Sequence, residues 1–313
     1  MTARALLVAA SCLGLFVAAV LVGPSLSGPE GAFVVWQLRL PRVLVGALVG
    51  ATLSLVGAVF QALFQNPLAT SDTVGTTAGA TVGALAALAF DSSRTVQGLP
   101  LVAASAFIGA VTASLLVASF ASSRRAHSSD VLLAGIAVTL ATSAFASGIQ
   151  YISDSRALFA AAQWSLGQLP QVGYRGVLLL LPVCAISSVC LLLLTRHLQA
   201  FALGAELAHS QGVNVARLRF MALGFGSLGV AACVAWCGPI AFVGLIVPHL
   251  VRLLLGSGYR VLLPMSLLVG AAFLVSCDLF ARLVVPGREL PVGIVTAALG
   301  APALVALVAR TRR

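Results

Sequence analysis

The chain has 313 residues, of which 60% are hydrophobic and only 8% are charged, and its mean hydropathy is +1.09. Soluble proteins carry roughly 25% charged residues, so this chain cannot cover itself with a solvated surface and is predicted to lie mostly in lipid. The net charge of +10 comes from 18 arginines, because the sequence contains no lysine. Without lysine, neither a phosphate-binding loop of the GxxxxGK[ST] type nor a Schiff-base site is possible. Any ATP that the protein uses must therefore bind to another subunit.

Ten apolar segments are candidates for membrane-spanning helices, which need about 20 largely apolar residues. The first could be a signal peptide, since Arg4 precedes it, but nine further spans favour a retained helix. We therefore predict an all-α polytopic membrane protein with ten transmembrane helices in one domain, residues 1–313. A shorter amphipathic patch, 157–166, predicts a re-entrant or surface helix. The ten segments are 5–23, 43–64, 73–90, 98–120, 131–150, 173–194, 218–236, 239–255, 263–285 and 293–309.

The arginines lie at the ends of these spans rather than on one face, which argues against a nucleic-acid partner. With the N-terminus inside, eleven of the eighteen arginines fall on the inner side and seven on the outer side. This bias agrees with the positive-inside rule and predicts that both termini are cytoplasmic. The outer arginines concentrate around 39–42 and 282–288, and these exceptions to the rule need a separate reason.

Motifs in a fixed order extend along nearly the whole chain. The first half contains Arg39-Leu-Pro-Arg42, Gly57-Ala-Val-Phe-Gln61, Asn66-Pro-Leu-Ala69, Gly75 and Gly79-Ala80. The second half contains the stretch from Gly238-Pro to His249-Leu-Val-Arg252, Asp278 with Ala281-Arg282, Glu289-Leu-Pro-Val-Gly293 and Gly300-Ala-Pro302. Each motif alone is weak, but the ordered set closely resembles the FecCD-type permeases, the membrane subunits of ABC importers for ferric siderophores, haem and vitamin B12.

The resemblance implies a type II ABC importer permease fold in a bacterial inner membrane. It implies a homodimer with a translocation path at the two-fold interface, lined largely by the second span and its neighbours. Two copies of an ABC ATPase subunit and one periplasmic substrate-binding protein would complete the importer. The permease itself is then not an enzyme, and we expect neither a cofactor nor a metal site. The sequence does not determine which metal chelate is carried.

Three arginines match positions that receive glutamates of the binding protein in the vitamin B12 permease: Arg39, Arg42 and Arg282. A guanidinium presents a planar fork that suits a carboxylate and keeps its charge. The alternatives are snorkelling to lipid headgroups and, for Arg282, an i,i+4 pair with Asp278. Arg288 lies close by but matches no arginine of the family, so its role is open.

The polar segment 195–218 resembles the coupling helix by which importer permeases contact their ATPase. The matching residues are Gly204, Glu206, Ala208 and Gly212, with Leu207 in place of an alanine of the family pattern. A short helix can move as a rigid lever in a groove of the ATPase. The alternative is an ordinary amphipathic loop.

Four residues match positions that close the cytoplasmic end of the family's channel: Asn66, Leu68, Ser128 and Ser129. Pro67 lacks an N–H and biases Asn66 away from helical geometry, which suits irregular backbone beside a cavity. A plain helix-terminating turn is the alternative for Asn66 and Leu68, and the serine match is the weaker one.

Several glycines, one histidine and a cysteine pair are better explained by helix packing than by ligand binding. Gly46, Gly50 and Gly57, with Ser54, are predicted to allow close helix packing. His249 is better explained as a structural residue than as a haem or metal ligand. The pair Cys233 and Cys237 has no His or acidic partner nearby in the sequence, which disfavours a metal site.

Two other functions remain as rivals at this point. An ion-coupled secondary transporter of a similar substrate would need intramembrane carboxylates, and only Asp278 is deep enough in a span. An intramembrane enzyme would need paired acids, a Ser-His pair or a metal cluster at one depth. The sequence contains neither HExxH nor GxSxG.

Overall fold

The computed structural model describes residues 3–22, 31–91, 95–96, 99–121, 128–171, 173–285 and 288–311. Within these ranges the chain is almost entirely helical. Two strands of two residues each, β1 (Thr95–Val96) and β2 (Leu99–Pro100), pair antiparallel. The helices are α1 (Ala3–Leu21), α2 (Gly31–Leu63), α3 (Thr76–Asp91), α4 (Leu101–Ala121), α5 (Ser128–Ile152), α6 (Ser155–Ser165), α7 (Arg175–Leu193), α8 (Thr195–Phe201), α9 (Ala205–Ser210), α10 (Val215–Cys237), α11 (Val243–Leu255), α12 (Tyr259–Leu283) and α13 (Val292–Thr311).

An apolar helix lies at each of the ten predicted positions. By length and composition, six helices of the described chain could cross a membrane: α2, α4, α5, α7, α10 and α12. The apolar parts of α1, α3, α11 and α13 are shorter. The all-helical, multi-pass fold is thus confirmed, whereas the number of ten crossings stays a prediction. The short helix predicted at 157–166 is α6, and Asp154 caps it by accepting a hydrogen bond from the Ala157 N–H at 2.8 Å.

Helix α2 forms the centre of the packing, and glycine lets two neighbours approach it. A Cβ added to Gly50 would lie 2.3 Å from the carbonyl oxygen of Gly270 in α12. One added to Gly57 would lie 1.9 Å from the carbonyl oxygen of Gly244 in α11. The Ser54 hydroxyl also donates to the Ser266 carbonyl of α12. The predicted packing role of Gly50, Gly57 and Ser54 is therefore confirmed.

The central position of α2 bears on the expected path between two copies. About 78% of its most apolar window is buried inside the single chain, because α2 packs on α7, α10, α11 and α12. The path between two copies, which the resemblance lines with the second span and its neighbours, stays a prediction, and the burial of α2 within one chain favours the neighbours as its main lining. In contrast, only 11% of the corresponding window of α5 is buried, the smallest share among the six long apolar helices described. Helix α5 thus offers its surface to lipid or to another chain.

Candidate functional site

The three predicted docking arginines lie together at one end of the molecule. Arg39 and Arg42 are three residues apart at the start of α2, where a π-helical segment, Val34–Arg39, passes into α-helix, and residues at this spacing share a face. Arg282 is in the last turn of α12. The three line a cavity of 350 Å³, which we call the arginine cavity. Its other described lining residues are Val22, Val34, Leu38, Gln171, Leu283, Val285, Arg288 and Glu289.

A network of ion pairs holds the arginine cavity together. Arg42 contacts Oδ1 of Asp278 through Nε at 3.0 Å and Nη2 at 2.8 Å, and its Nη1 contacts Oε2 of Glu289 at 2.6 Å. Arg282 pairs with the other oxygen of Asp278, Nε to Oδ2, at 3.1 Å. Asp278 is 1% exposed and Arg42 is 6% exposed. The i,i+4 alternative for Arg282 is therefore present, and Arg42 is already paired, so the docking role of the three arginines stays a prediction.

Two of these arginines also bind the end of α1. Arg39 Nη1 donates to the carbonyl of Leu21 at 3.3 Å, and Arg282 Nη2 donates to the carbonyl of Ala19 at 3.1 Å. The last carbonyls of a helix have no partner within the helix and carry partial negative charge. The arginines thus fasten α1 to the core helices α2 and α12.

Glu289 and Gln171 complete the cavity, although neither is among the predicted docking residues. Gln171 Nε2 donates to Oε1 of Glu289 at 3.1 Å, and Glu289 is 51% exposed. A sequence signal for Glu289 existed, because it opens the motif Glu289-Leu-Pro-Val-Gly293. Gln171 had none beyond its polarity. Arg288, whose role was open, is an exposed lining residue of the same cavity.

At the other end of α2, the predicted gate residues Asn66 and Leu68 form a tight turn. The helix ends at Leu63 and Gln65 adopts φ +49°. The Asn66 side chain then accepts a hydrogen bond from the Leu68 N–H at 2.9 Å, as asparagine commonly does in turns. The helix-terminating alternative is thus present, while the gating role stays a prediction.

The predicted serine pair is placed less completely. Ser129 is exposed in the first turn of α5, and the side chain of Ser128 lies outside the described part of the chain. Among the described residues, no hydrogen bond joins Ser129 to Asn66 or Leu68. The closing role of Ser128 and Ser129 therefore stays a prediction.

A second cavity, of 480 Å³, connects the predicted gate with the predicted coupling segment. We call it the glutamine cavity, because Gln61 and Gln65 line it together with Asn66 and Gly204. Arg252 Nη1 donates to Oε1 of Gln61 at 2.7 Å, and Gln61 Nε2 donates to the Gly244 carbonyl at 3.1 Å. Since Arg42 and Gln61 are 19 residues apart on α2, the two cavities are separated by roughly 28 Å at a rise of 1.5 Å per residue. They lie at opposite ends of the helix.

The predicted coupling residues surround the short helix α9. Gly204 precedes it at φ +117° and Gly212 follows it at φ +81°, conformations that favour glycine. Ala208 is fully buried, whereas Glu206 and Leu207 are exposed. The helix thus packs on the core through Ala208, and the larger side chains of Glu206 and Leu207 face outward. The coupling role itself stays a prediction.

His249 behaves as a structural residue in this fold. Its Nδ1 lies 3.3 Å from the carbonyl oxygen of Leu245, one turn earlier in α11. Among the described residues, no group of three His, Cys, Asp or Glu side chains could hold a metal ion.

Comparison with known proteins agrees with this geometry over nearly the whole chain. Residues 6–310 match the FecCD transport family. The cobalamin import system permease protein BtuC of Halobacterium salinarum is 40% identical over 277 residues, which cover 88% of this chain and 73% of that protein. The Fe(3+) dicitrate transport system permease protein FecD of Escherichia coli is 36% identical over 288 residues, which cover 91% and 88%.

A solved structure, described as an inward-facing conformation of a metal-chelate-type ABC transporter, superimposes with a TM-score of 0.87. It is 31% identical, and the match covers 97% of this chain and 98% of that one. Sequence and architecture therefore agree from end to end. The chain belongs to the FecCD transport family.

Proposed function

We propose that the chain is the membrane permease of an ABC importer that carries a metal chelate from the periplasm to the cytoplasm. The observation that carries this proposal is the end-to-end match in fold to a metal-chelate-type ABC transporter. The relatives named above are permeases for cobalamin and for ferric dicitrate, which supports vitamin B12 and a ferric siderophore as candidate cargo. Haem is the third candidate, from the resemblance of the sequence. The permease lies in the bacterial inner membrane with both termini in the cytoplasm.

ATP hydrolysis belongs to a separate subunit, present in two copies. The absence of lysine from the chain supports this division, because a phosphate-binding loop requires one. The segment 195–218 is the proposed contact with that subunit. Helix α9 supports the role, since exposed Glu206 and Leu207 lie between two glycines that can change backbone conformation.

A periplasmic binding protein docks at the arginine cavity through its carboxylates. The cavity supports this because Arg39, Arg42 and Arg282 meet there, and arginine forms strong, oriented hydrogen bonds with carboxylates. It lies at the end of α2 that the charge bias assigns to the outside.

A second copy of the chain covers the exposed face of α5. Ser143, Ser147 and Gln150 follow one another at helical spacing on this face, and all three are exposed. Polar side chains in a membrane usually face protein or a water-filled path rather than lipid. In the homodimer these side chains would face the path beside α5, with a gate near Asn66, Leu68, Ser128 and Ser129.

An ion-coupled transporter is the less favoured alternative. Its proton relay would need an available carboxylate within the spans. Asp278, the candidate from the sequence, is 1% exposed and held between Arg42 and Arg282. It is engaged in ion pairs that fasten two helices, which favours the ATP-driven importer.

The direct test is uptake into proteoliposomes that contain this chain, an ABC ATPase subunit and a binding protein. Ferric siderophore, haem and cobalamin are offered in parallel. We expect uptake of one cargo that requires both ATP and the binding protein. Uptake driven by a proton gradient without ATP, or no ATP-dependent uptake by an intact complex, would contradict the proposal.

The docking site is tested with R39E and R42E, each compared with R156E. Arg156 is exposed in α6, at the same predicted side of the membrane. Reversing a docking arginine replaces attraction with repulsion, so we expect at least a tenfold loss of affinity for the binding protein and a matching loss of uptake. R156E is expected to behave like the unmodified permease. Unchanged docking in both R39E and R42E would exclude this role.

A further inference from the structure

The arginine cavity already contains a carboxylate of its own chain. Glu289 lines it beside Arg39, Arg42, Arg282 and Arg288. Its Oε2 lies 2.6 Å from Nη1 of Arg42, close enough for a charge-assisted hydrogen bond. Arg42 therefore makes, within the isolated chain, the kind of contact that a docking carboxylate would make.

The two carboxylates that bind Arg42 differ in how easily they can be exchanged. Asp278 is 1% exposed, contacts both Arg42 and Arg282, and is part of the span α12. Its removal would leave buried charges without a partner, which is strongly destabilising. Glu289 is 51% exposed, so water can solvate its carboxylate as soon as it leaves Arg42, and no buried carboxylate is left without a partner. Only the Glu289 contact can thus be replaced at small cost.

The backbone around Glu289 also permits such an exchange. The residue lies in the non-helical stretch between α12 and α13, and the next residue, Leu290, donates its N–H to the Ala281 carbonyl at 3.2 Å. The Glu289 side chain is held at its tip, by Arg42 and by Gln171. Rotation of the side chain alone would free Arg42 while the backbone stays anchored.

We infer that Glu289 is a resident stand-in for a partner carboxylate, which displaces it from Nη1 of Arg42 when the binding protein docks. This inference rests on the proposed docking at the arginine cavity. Asp278 holds Nε and Nη2 of Arg42 in either state. The stand-in keeps the remaining donor, Nη1, bound when no partner is present, because a buried donor without an acceptor is costly. During docking one carboxylate replaces another on Arg42, and Glu289 moves to solvent. The same exchange signals to the permease, since Glu289 lies three residues before α13.

The test is a double-mutant cycle of E289Q and R42Q in the assembled importer at physiological ionic strength. The probe is the binding protein that supports uptake in the proteoliposome assay, and the readout is its dissociation constant. Glutamine keeps the size of Glu289 and loses its charge. Removing a half-exposed competitor should tighten docking by up to about fivefold. In the R42Q background, E289Q should cause no tightening, because the contested contact is gone.

The matched control is D154N, which changes the net charge equally and keeps a residue type that caps helices well. It is expected to leave the dissociation constant unchanged. Tightening by D154N, or by E289Q in the R42Q background, would show a general charge effect and overturn the inference. If R42Q weakens docking but E289Q leaves it unchanged or weakens it, the inference about Glu289 is overturned, although the proposed docking site is supported. If neither R42Q nor R39Q alters docking, the proposed docking site itself fails.

A thermal unfolding measurement accompanies each variant. If E289Q does not assemble, E289D replaces it, because the shorter side chain withdraws the carboxylate from Arg42 but keeps its charge. We expect E289D to tighten docking by up to about twofold, roughly half of the E289Q effect on a logarithmic scale. No tightening by E289D would count against the inference.

Discussion

Replacing Gly57 by alanine should separate α2 from α11, since these helices touch at their backbones. The added Cβ would lie 1.9 Å from the Gly244 carbonyl oxygen and 2.5 Å from its carbonyl carbon and Cα, whereas ordinary contact begins at 3.4 Å. Backbone cannot rotate away as a side chain can. Helix α11 would have to retreat by about 1.5 Å, the difference between these distances, or tilt.

The free-energy change can be estimated from three contributions. Forcing an extra methyl into a packed core costs about 1–3 kcal/mol. The same Gly244 carbonyl accepts a hydrogen bond from Gln61 at 3.1 Å, and losing a buried partner costs about 1–3 kcal/mol. Alanine recovers about 1 kcal/mol through its higher helix propensity. The net expectation for G57A is a destabilisation of about 1–5 kcal/mol.

The assay is the apparent Tm of the purified permease in one detergent, with G50A and G224A as comparisons. A Cβ on Gly50 would lie 2.3 Å from backbone, and one on Gly224 would meet nothing within 4 Å. We therefore expect G57A to lower the Tm most, G50A to lower it less, and G224A to leave it unchanged or raise it. A G57A permease at least as stable as the unmodified one would refute the backbone contact between α2 and α11.

Two further predictions concern the coupling segment and the ion pairs. G212A should uncouple ATP hydrolysis from transport, because Gly212 adopts φ +81° with open space around it and a left-handed conformation costs a non-glycine residue about 1–2 kcal/mol. The measurement is the number of substrate molecules carried per ATP, and G212N should have a milder effect. A normal ratio in G212A would argue against the role of this segment as a lever. D278N should destabilise the protein by about 3–5 kcal/mol, because Arg42 and Arg282 lose their buried counter-charge. Equilibrium unfolding measures this change. An unchanged free energy of unfolding would mean that these ion pairs do not stabilise the fold.

Much of the fold could be predicted because its determinants are local. Long apolar stretches must satisfy their backbone groups internally in lipid, which makes them helices. The apolar helices accordingly lie at the ten predicted positions, and α6 lies at the predicted short patch. The glycines of α2 indicated close packing, because small residues permit it wherever helices meet. Their partners, Gly270 and Gly244, could not be predicted, since nothing local records which helices are neighbours.

The residue types of the candidate site were predicted, and the i,i+4 pair of Arg282 with Asp278 was offered as an alternative, but the pairing of Arg42 was not predicted. The Arg39-Leu-Pro-Arg42 motif and Arg282 indicated a basic site at one end of the bundle. The sequence did not indicate that Arg42 is already bound by Asp278 and Glu289, which are 236 and 247 residues away along the chain. The resemblance implied a path lined by the second span and its neighbours, and only the tertiary structure showed that α2 is mostly buried within the chain while α5 is mostly exposed.

Some properties of this chain follow from its sequence alone and others only from its tertiary structure, for a physical reason. Composition, hydropathy and the lack of lysine determined by themselves that this chain is a helical membrane protein that cannot build its own lysine-containing ATP site. These properties are sums over the residues of the chain and do not depend on which residues are neighbours in the fold. Which helix is central, which arginine is paired and which carboxylate is exchangeable were decided only by the tertiary structure. Burial and ion pairing arise between residues that the fold brings together from distant parts of the chain.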